Sequence, residues 1–169
     1  DPCTSPTIVS PTQATCLTPA NPTGAANVTI TNPDAQESTL VGAYTYQPAP
    51  TFTSISPNAG ALAGGTAVTI TGTGFVTGVL VDIGGNACTI ASNTSTQIFC
   101  TTAAHAAGAT TVTITNVDTQ SVATPAAYTY QPAPTLSAVT PVAGPLAGGS
   151  SLTITGTGFV TGATVSVGG

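Results

Sequence analysis

The chain is 169 residues long and carries five acidic side chains, one His and no Lys or Arg. Having no cations to set against phosphates, it is excluded from nucleic-acid binding and from polybasic anchoring to an acidic membrane surface. At 41% apolar residues it is too hydrophobic to be disordered by charge repulsion, and with no apolar run of about 18 residues it has no membrane-spanning helix. No basic stretch marks a signal peptide and there is no Met, so the expectation is a processed or excerpted piece of a longer product. Its 36 Thr, with Val, favour strands, while 19 Gly and 14 Pro supply turns and stop helices. The expected class is all-β.

In chain order, the first distinctive stretch is Thr4 to Thr23, where Thr and Ser are interleaved with Pro2, Pro6, Pro11, Pro19 and Pro22. That composition suits an O-glycosylated stalk, with Thr4, Ser5, Thr7, Thr12, Thr18 and Thr23 as candidate acceptors. Asn27-Val-Thr29 and Asn93-Thr-Ser95 are N-glycosylation sequons. Between Ala49 and Pro132, strands are expected at Phe52 to Ser56, Thr66 to Thr71, Val79 to Ile83, Cys88 to Ile90, Gln97 to Thr101, Thr111 to Thr115 and Ala127 to Tyr130. Gly-rich turns separate them. Alternation turns Val68, Ile70, Val79, Val81, Ile83, Val112 and Ile114 inward. Phe75 and Phe159 are expected to plug the core. Short strands without helical periodicity imply an antiparallel β-sandwich.

The chain repeats itself. Tyr44-Thr-Tyr-Gln-Pro-Ala-Pro-Thr51, Thr71-Gly-Thr-Gly-Phe-Val-Thr-Gly78 and Val28-Thr-Ile-Thr-Asn32 each recur 84 residues later. The phase divides it into residues 1–48, the C-terminal half of a unit; 49–132, one complete unit; and 133–169, the N-terminal half of the next. Gly168-Gly169 followed by Asp1-Pro2-Cys3 would match Gly84-Gly-Asn-Ala-Cys88. Two arrangements follow: a covalent array of identical repeats, which is favoured, or half-domains completed by neighbours through strand donation. Both are head-to-tail and non-closing.

Pro57-Asn-Ala-Gly60, Gly64-Gly-Thr-Ala-Val-Thr-Ile-Thr-Gly-Thr-Gly-Phe75, Val81-Asp-Ile-Gly-Gly85, Cys88, Ile98-Phe-Cys100 and Ala127-Tyr-Thr-Tyr130 together resemble an IPT/TIG domain. The resemblance covers the whole chain as half, whole and half domains. It implies an early-set immunoglobulin-like fold, as in plexins, Rel-type transcription factors and many bacterial surface proteins, and it points to a bacterial-type extracellular surface or fibre protein. The basic loops of the DNA-binding branch are missing. Within that picture Cys88 pairs naturally with Cys100, and Cys3 with Cys16. Closing loops of this size stabilises by about 3 kcal/mol. A zinc site lacks a tetrahedral donor set, and buried free thiols are the remaining alternative. Disulfides place the chain outside the cytosol, at a cell surface or beyond it.

Catalysis is poorly supplied, and the expectation is a non-enzyme without cofactor or metal. His105 stands alone in an Ala-rich loop and reads as an exposed loop residue. Asp82 aligns with Ser166, so it is not a repeated site. Asn32-x-Asp34 and Asn116-x-Asp118 recur and offer oxygens to Ca²⁺, but suit a side-chain-stabilised turn better. Gly72 to Gly78 lacks the Lys and the helix of a phosphate loop. The expected function is a structural repeat of an extracellular filament, stalk or surface fibre. Its partners are further copies of itself and covalent glycans, and Gln-Pro-Ala-Pro linkers stiffen the array. The alternatives are an adhesion or carbohydrate-binding module, disfavoured because the aromatics are read as repeating at matching positions, and a fragment of a secreted polysaccharide-acting enzyme.

Overall fold

Thr- and Val-rich runs broken by Gly and Pro fold here into strands throughout, in a computed structural model that describes residues 1–168; Gly169 lies outside the described residues. Two units are separable, Asp1–Pro48 and Ala49–Gly169.

The first unit consists of two hairpins. β1 (Thr4–Ser10) pairs with β2 (Gln13–Leu17), and β3 (Gly24–Thr31) with β4 (Glu37–Tyr46), both antiparallel. The Pro- and Thr-rich segment is thus a hairpin where its composition suggests a stalk. Pro6 is accommodated because it falls in a register shift between Thr4 and Thr7, on a strand with one free edge.

The second unit contains a sandwich over residues 51–131. Its strands are β5 (Thr51–Ser56), β6 (Ala59–Ala61), β7 (Ala67–Thr73), β8 (Leu80–Ile83), β9 (Asn86–Ala87), β10 (Thr89–Asn93), β11 (Gln97–Thr101), β12 (Gly108–Thr115) and β13 (Ser121–Gln131). One sheet has the order β10-β11-β7-β5 and the other β6-β13-β12-β8-β9. All seven expected strands are present. The short β6 and β9 were not expected, being too brief to alternate.

β6 adds one short parallel pairing to the antiparallel sandwich, lying beside β13 with Tyr130 opposite Gly60. After β5 the chain crosses at Pro57-Asn58 to the other sheet without reversing, and Asn58 accepts from the Thr129 N–H at 2.9 Å.

Between the sheets lie Ile55, Val68, Ile70, Phe75, Val79, Val81, Ile83, Cys88, Ile98, Cys100, Val112, Ile114, Tyr128 and Tyr130. Every inward position read from alternation is among them. Their burial is the hydrophobic driving force for this unit, at about 1.5–3 kcal/mol per large side chain.

Beyond β13 one hairpin remains, β14 (Thr135–Thr140) with β15 (Thr153–Thr157), the counterparts of β5 and β7. Phe159 repeats the placement of Phe75, over a glycine beneath the ring, yet it is 47% exposed where Phe75 is 3%. The expected core plug therefore has no core to fill: the hairpin is a two-stranded sheet with no second layer of its own.

Candidate functional site

One group of polar side chains of the complete unit lies around the loop Ala103–Ala107. Thr102, buried at the end of β11, donates its N–H to the Thr66 carbonyl at 3.0 Å, and its Oγ1 accepts from the Thr66 N–H at 3.2 Å. This fixes where the loop starts. His105 is half-buried, contrary to its reading as an exposed loop residue. Its ring stacks on Tyr130 with centroids 4.8 Å apart, Nε2 lies 3.1 Å from the Gly84 carbonyl, and Nδ1 lies 2.8 Å from the Ala106 carbonyl. Asn86 adds a bond to the Ala104 carbonyl at 3.1 Å. The imidazole therefore clamps the loop to the β8–β9 turn. Gly84 is needed beneath it: its φ is +68°, and a Cβ there would strike His105 Nε2 and Thr110 Oγ1.

Tyr130 completes the clamp, its hydroxyl donating to the Ala103 carbonyl at 2.9 Å. Burial holds the phenol above its ordinary range, Tyr128 and Asp82 push it the same way, and a Thr102 side-chain bond opposes them. Tyr128, two residues earlier, is also fully buried, but its hydroxyl has no hydrogen-bond partner.

At the opposite end of β12, Asn116 is buried and donates from Nδ2 to the Gly74 carbonyl at 2.8 Å. Its Oδ1 lies 3.4 Å from the Val76 N–H. It staples the loop of residues 74–78 to the β12–β13 turn. The Asn-x-Asp pattern signalled the turn but not this staple, which joins residues about 40 positions apart in sequence. Asp118 accepts through Oδ1 from the Gln120 N–H (3.1 Å) and through Oδ2 from its side-chain amide (2.8 Å). Asp34 accepts from the Gln36 N–H at 3.2 Å. Both acids serve their own hairpin turns, and among the described residues no three His, Cys, Asp or Glu side chains cluster for a metal. Asp82 accepts from the Gly85 N–H, closing the β8–β9 turn.

Disulfides join Cys88 to Cys100 and Cys3 to Cys16, each with Cα atoms 5.7 Å apart. The first is buried in the core and ties the entry of β10 to β11. Beside it opens an apolar cleft of about 530 Å³ between β8 and β10, lined by Val79, Val81, Cys88 and Ile90, with Asp82 its one charged group.

The candidate glycan acceptors differ in access. Thr4, Ser5, Thr7, Thr12, Thr18 and Thr23 are all exposed, as is Asn27. Asn93 is half-buried, and its Nδ2, the atom an N-glycan would substitute, donates to the Val76 carbonyl at 3.1 Å. Phe99 projects, 38% exposed, from the outer face of β11 opposite Thr69. Its counterpart 84 residues earlier is Thr15, which corrects the expectation that the aromatics repeat at matching positions.

The sequence pattern of the IPT/TIG domain matches residues 50–130 and 134–169. Mouse fibrocystin-L is 39% identical over 79 residues, or 45% of this chain, and human fibrocystin-L is 33% identical over 114 residues, or 65% of it. The chain spans about 2% and 3% of the lengths of those relatives. Among solved structures, the plexin A4 extracellular region superposes with a TM-score of 0.56 at 24% identity, covering 76% of this chain and 11% of that one. That likeness is one of fold.

Proposed function

The chain belongs to the IPT/TIG domain family, and from that premise we propose that it is a non-catalytic, extracellular structural protein, a repeat segment of a filament, stalk or surface fibre. The observation that carries the proposal is the 84-residue repeat itself: identical linkers, Gln47-Pro-Ala-Pro50 and Gln131-Pro-Ala-Pro134, flank a sandwich preceded by the second half of a similar unit and followed by the first half of another. A unit that recurs with the same linkers presents similar ends at every junction, which is the condition for an open array. Its polar residues support the reading, since His105, Asn116, Asp82 and Asp118 are engaged in holding loops and turns. Two disulfides and the resemblance to an extracellular region in plexin A4 support a place outside the cytosol. The almost uncharged surface suits association with copies of itself, or a covering of glycans on Asn27 and the Thr-rich β1–β2 hairpin.

Negatively stained images of the purified protein test the function: long filaments of uniform width are expected, and dispersed globular particles overturn it. Intact mass before and after deglycosylation tests the covering. A loss of mass is expected, and an unchanged mass removes the glycans.

A second reading, an adhesion or carbohydrate-binding module, rests on Phe99. An exposed ring on a flat Thr-bearing face suits stacking against a sugar. Binding to a glycan array that is lost in Phe99→Ala would favour it over the structural role.

A further inference from the structure

The two linkers meet the complete unit at opposite ends. Pro50 leads into β5 where Thr51 pairs with Thr73, the end at which Asn116 bonds the Gly74 carbonyl and β13 begins with Ser121 beside Thr115. β13 then runs the length of its sheet and leaves at the far end, past Tyr130, into Pro132. Between entry and exit, β5 and β6 carry the chain in the same direction as β13. β6 therefore ties the entering segment directly to the leaving one, with Ala59, Gly60 and Ala61 opposite Thr129, Tyr130 and Gln131. The Thr129 N–H donates to the Asn58 carbonyl at 2.9 Å. Close seating of β6 requires Gly60, since a Cβ there would strike Thr66 Oγ1 and the Tyr128 hydroxyl. The loop of residues 103–107 adds a second tie. The His105 N–H donates to the Leu62 carbonyl at 2.9 Å, just beyond β6, while its ring stacks on Tyr130 and the Tyr130 hydroxyl holds the Ala103 carbonyl.

Resting on the array reading above, we propose that this patch, residues 58–62 with residues 129–131 and the His105 loop, is a mechanical clamp through which the unit carries tension along the array. A pull on the two linkers draws β6 towards the entry and β13 towards the exit, each along its own axis. Parallel neighbours drawn in opposite directions slide past each other. The evenly spaced backbone bonds between them lie across the pull and must give way together. Pulled apart crosswise, paired strands open one bond at a time from an end. β5 is drawn along β7 by the same pull, through five residue pairs, and adds to the barrier. Resistance to forced unfolding is set by the unfolding rate and not by overall stability. A strand of three residues thus governs it by its position between the two loaded segments.

Single full-length chains held at constant force test this. Handles on the two chain ends deliver the pull through both linkers. Handles on the N-terminus and on Val117→Cys deliver it crosswise, because Val117 is exposed at the same end of the unit as Pro50 and the four native cysteines are paired. At the same force the unit should last about ten-fold longer before yielding under the end-to-end pull. Equal lifetimes overturn the proposal. Tyr130→Phe, which releases the Ala103 carbonyl from β13, should shorten the end-to-end lifetime about five-fold and leave the crosswise one nearly unchanged. Equal shortening of both would assign that hydroxyl to general stability and remove the loop from the clamp. Long end-to-end lifetimes in a protein that forms no filaments would retain the clamp and remove the array. Filaments built of chains with equal lifetimes would retain the array and remove the clamp.

Discussion

Tyr128 and Tyr130 belong to a repeated Tyr-Thr-Tyr block and point to the same core, yet one hydroxyl is bonded and the other is not. A buried hydroxyl without a partner forfeits its hydration for nothing, whereas a bonded one recovers it. Tyr130→Phe should therefore lower stability by about 1 kcal/mol, because the buried hydroxyl-to-carbonyl bond is lost. Tyr128→Phe should leave stability unchanged or raise it. Urea midpoints of the two variants distinguish them. The phenol of Tyr130 also sets an alkaline limit. Its folded pKa is raised, so its contribution is complete below the unfolded value of about 10 and is lost as pH climbs through the folded one. Thermal midpoints should fall from about pH 10 upward, and the fall should be smaller in Tyr130→Phe. Asn116→Ala, which strands the Gly74 carbonyl, should cost about 1–3 kcal/mol by the same urea measurement.

Among the elements, β7 is paired on both edges, with β11 and β5. Gly72 within it lies so near β5 that a Cβ would collide with the Thr51 carbonyl oxygen, and Phe75 closes over the same spot. The collision is with backbone, which cannot rotate away, so Gly72→Ala should cost about 1–3 kcal/mol as an overpacked site. The β10–β11 hairpin, at the sheet edge, depends instead on the Cys88–Cys100 bond. By loop closure it contributes about 3 kcal/mol, so full reduction should lower the urea midpoint, with little change if the hairpin is held by packing alone. The strands themselves were legible because alternation is a local signal: Val68, Ile70, Val112 and Ile114 could be turned inward from neighbours alone. β6 and β9 were not, since three- and two-residue strands carry no period. The Asn116 staple and the His105–Tyr130 stack escaped for another reason: each joins segments far apart in sequence.

Across the whole molecule, the buried hydrophobic residues fall between Ile55 and Tyr130, while apolar side chains on either side of that unit stand in solvent. In dilute solution, resistance to proteolysis should follow the same division, since cleavage tracks the ease of local opening. Thermolysin, which cuts beside large apolar residues, should trim residues 1–48 and 133–168 first and leave a fragment close to residues 49–132. Mass spectrometry of the early products reads this, and early cuts inside the sandwich would contradict it.

The class, the repeat, the order of the main strands and their inward positions were determined by the sequence by itself, because a period of two along a strand and a period of 84 along the chain are one-dimensional patterns. Whether a given inward position is buried was decided only by tertiary structure. Val28 and Val112 occupy the same motif, as do Phe159 and Phe75, yet one of each pair is exposed and the other enclosed. Alternation gives a side chain its direction. Burial requires a second sheet across from it, and that sheet comes from residues a half-unit away.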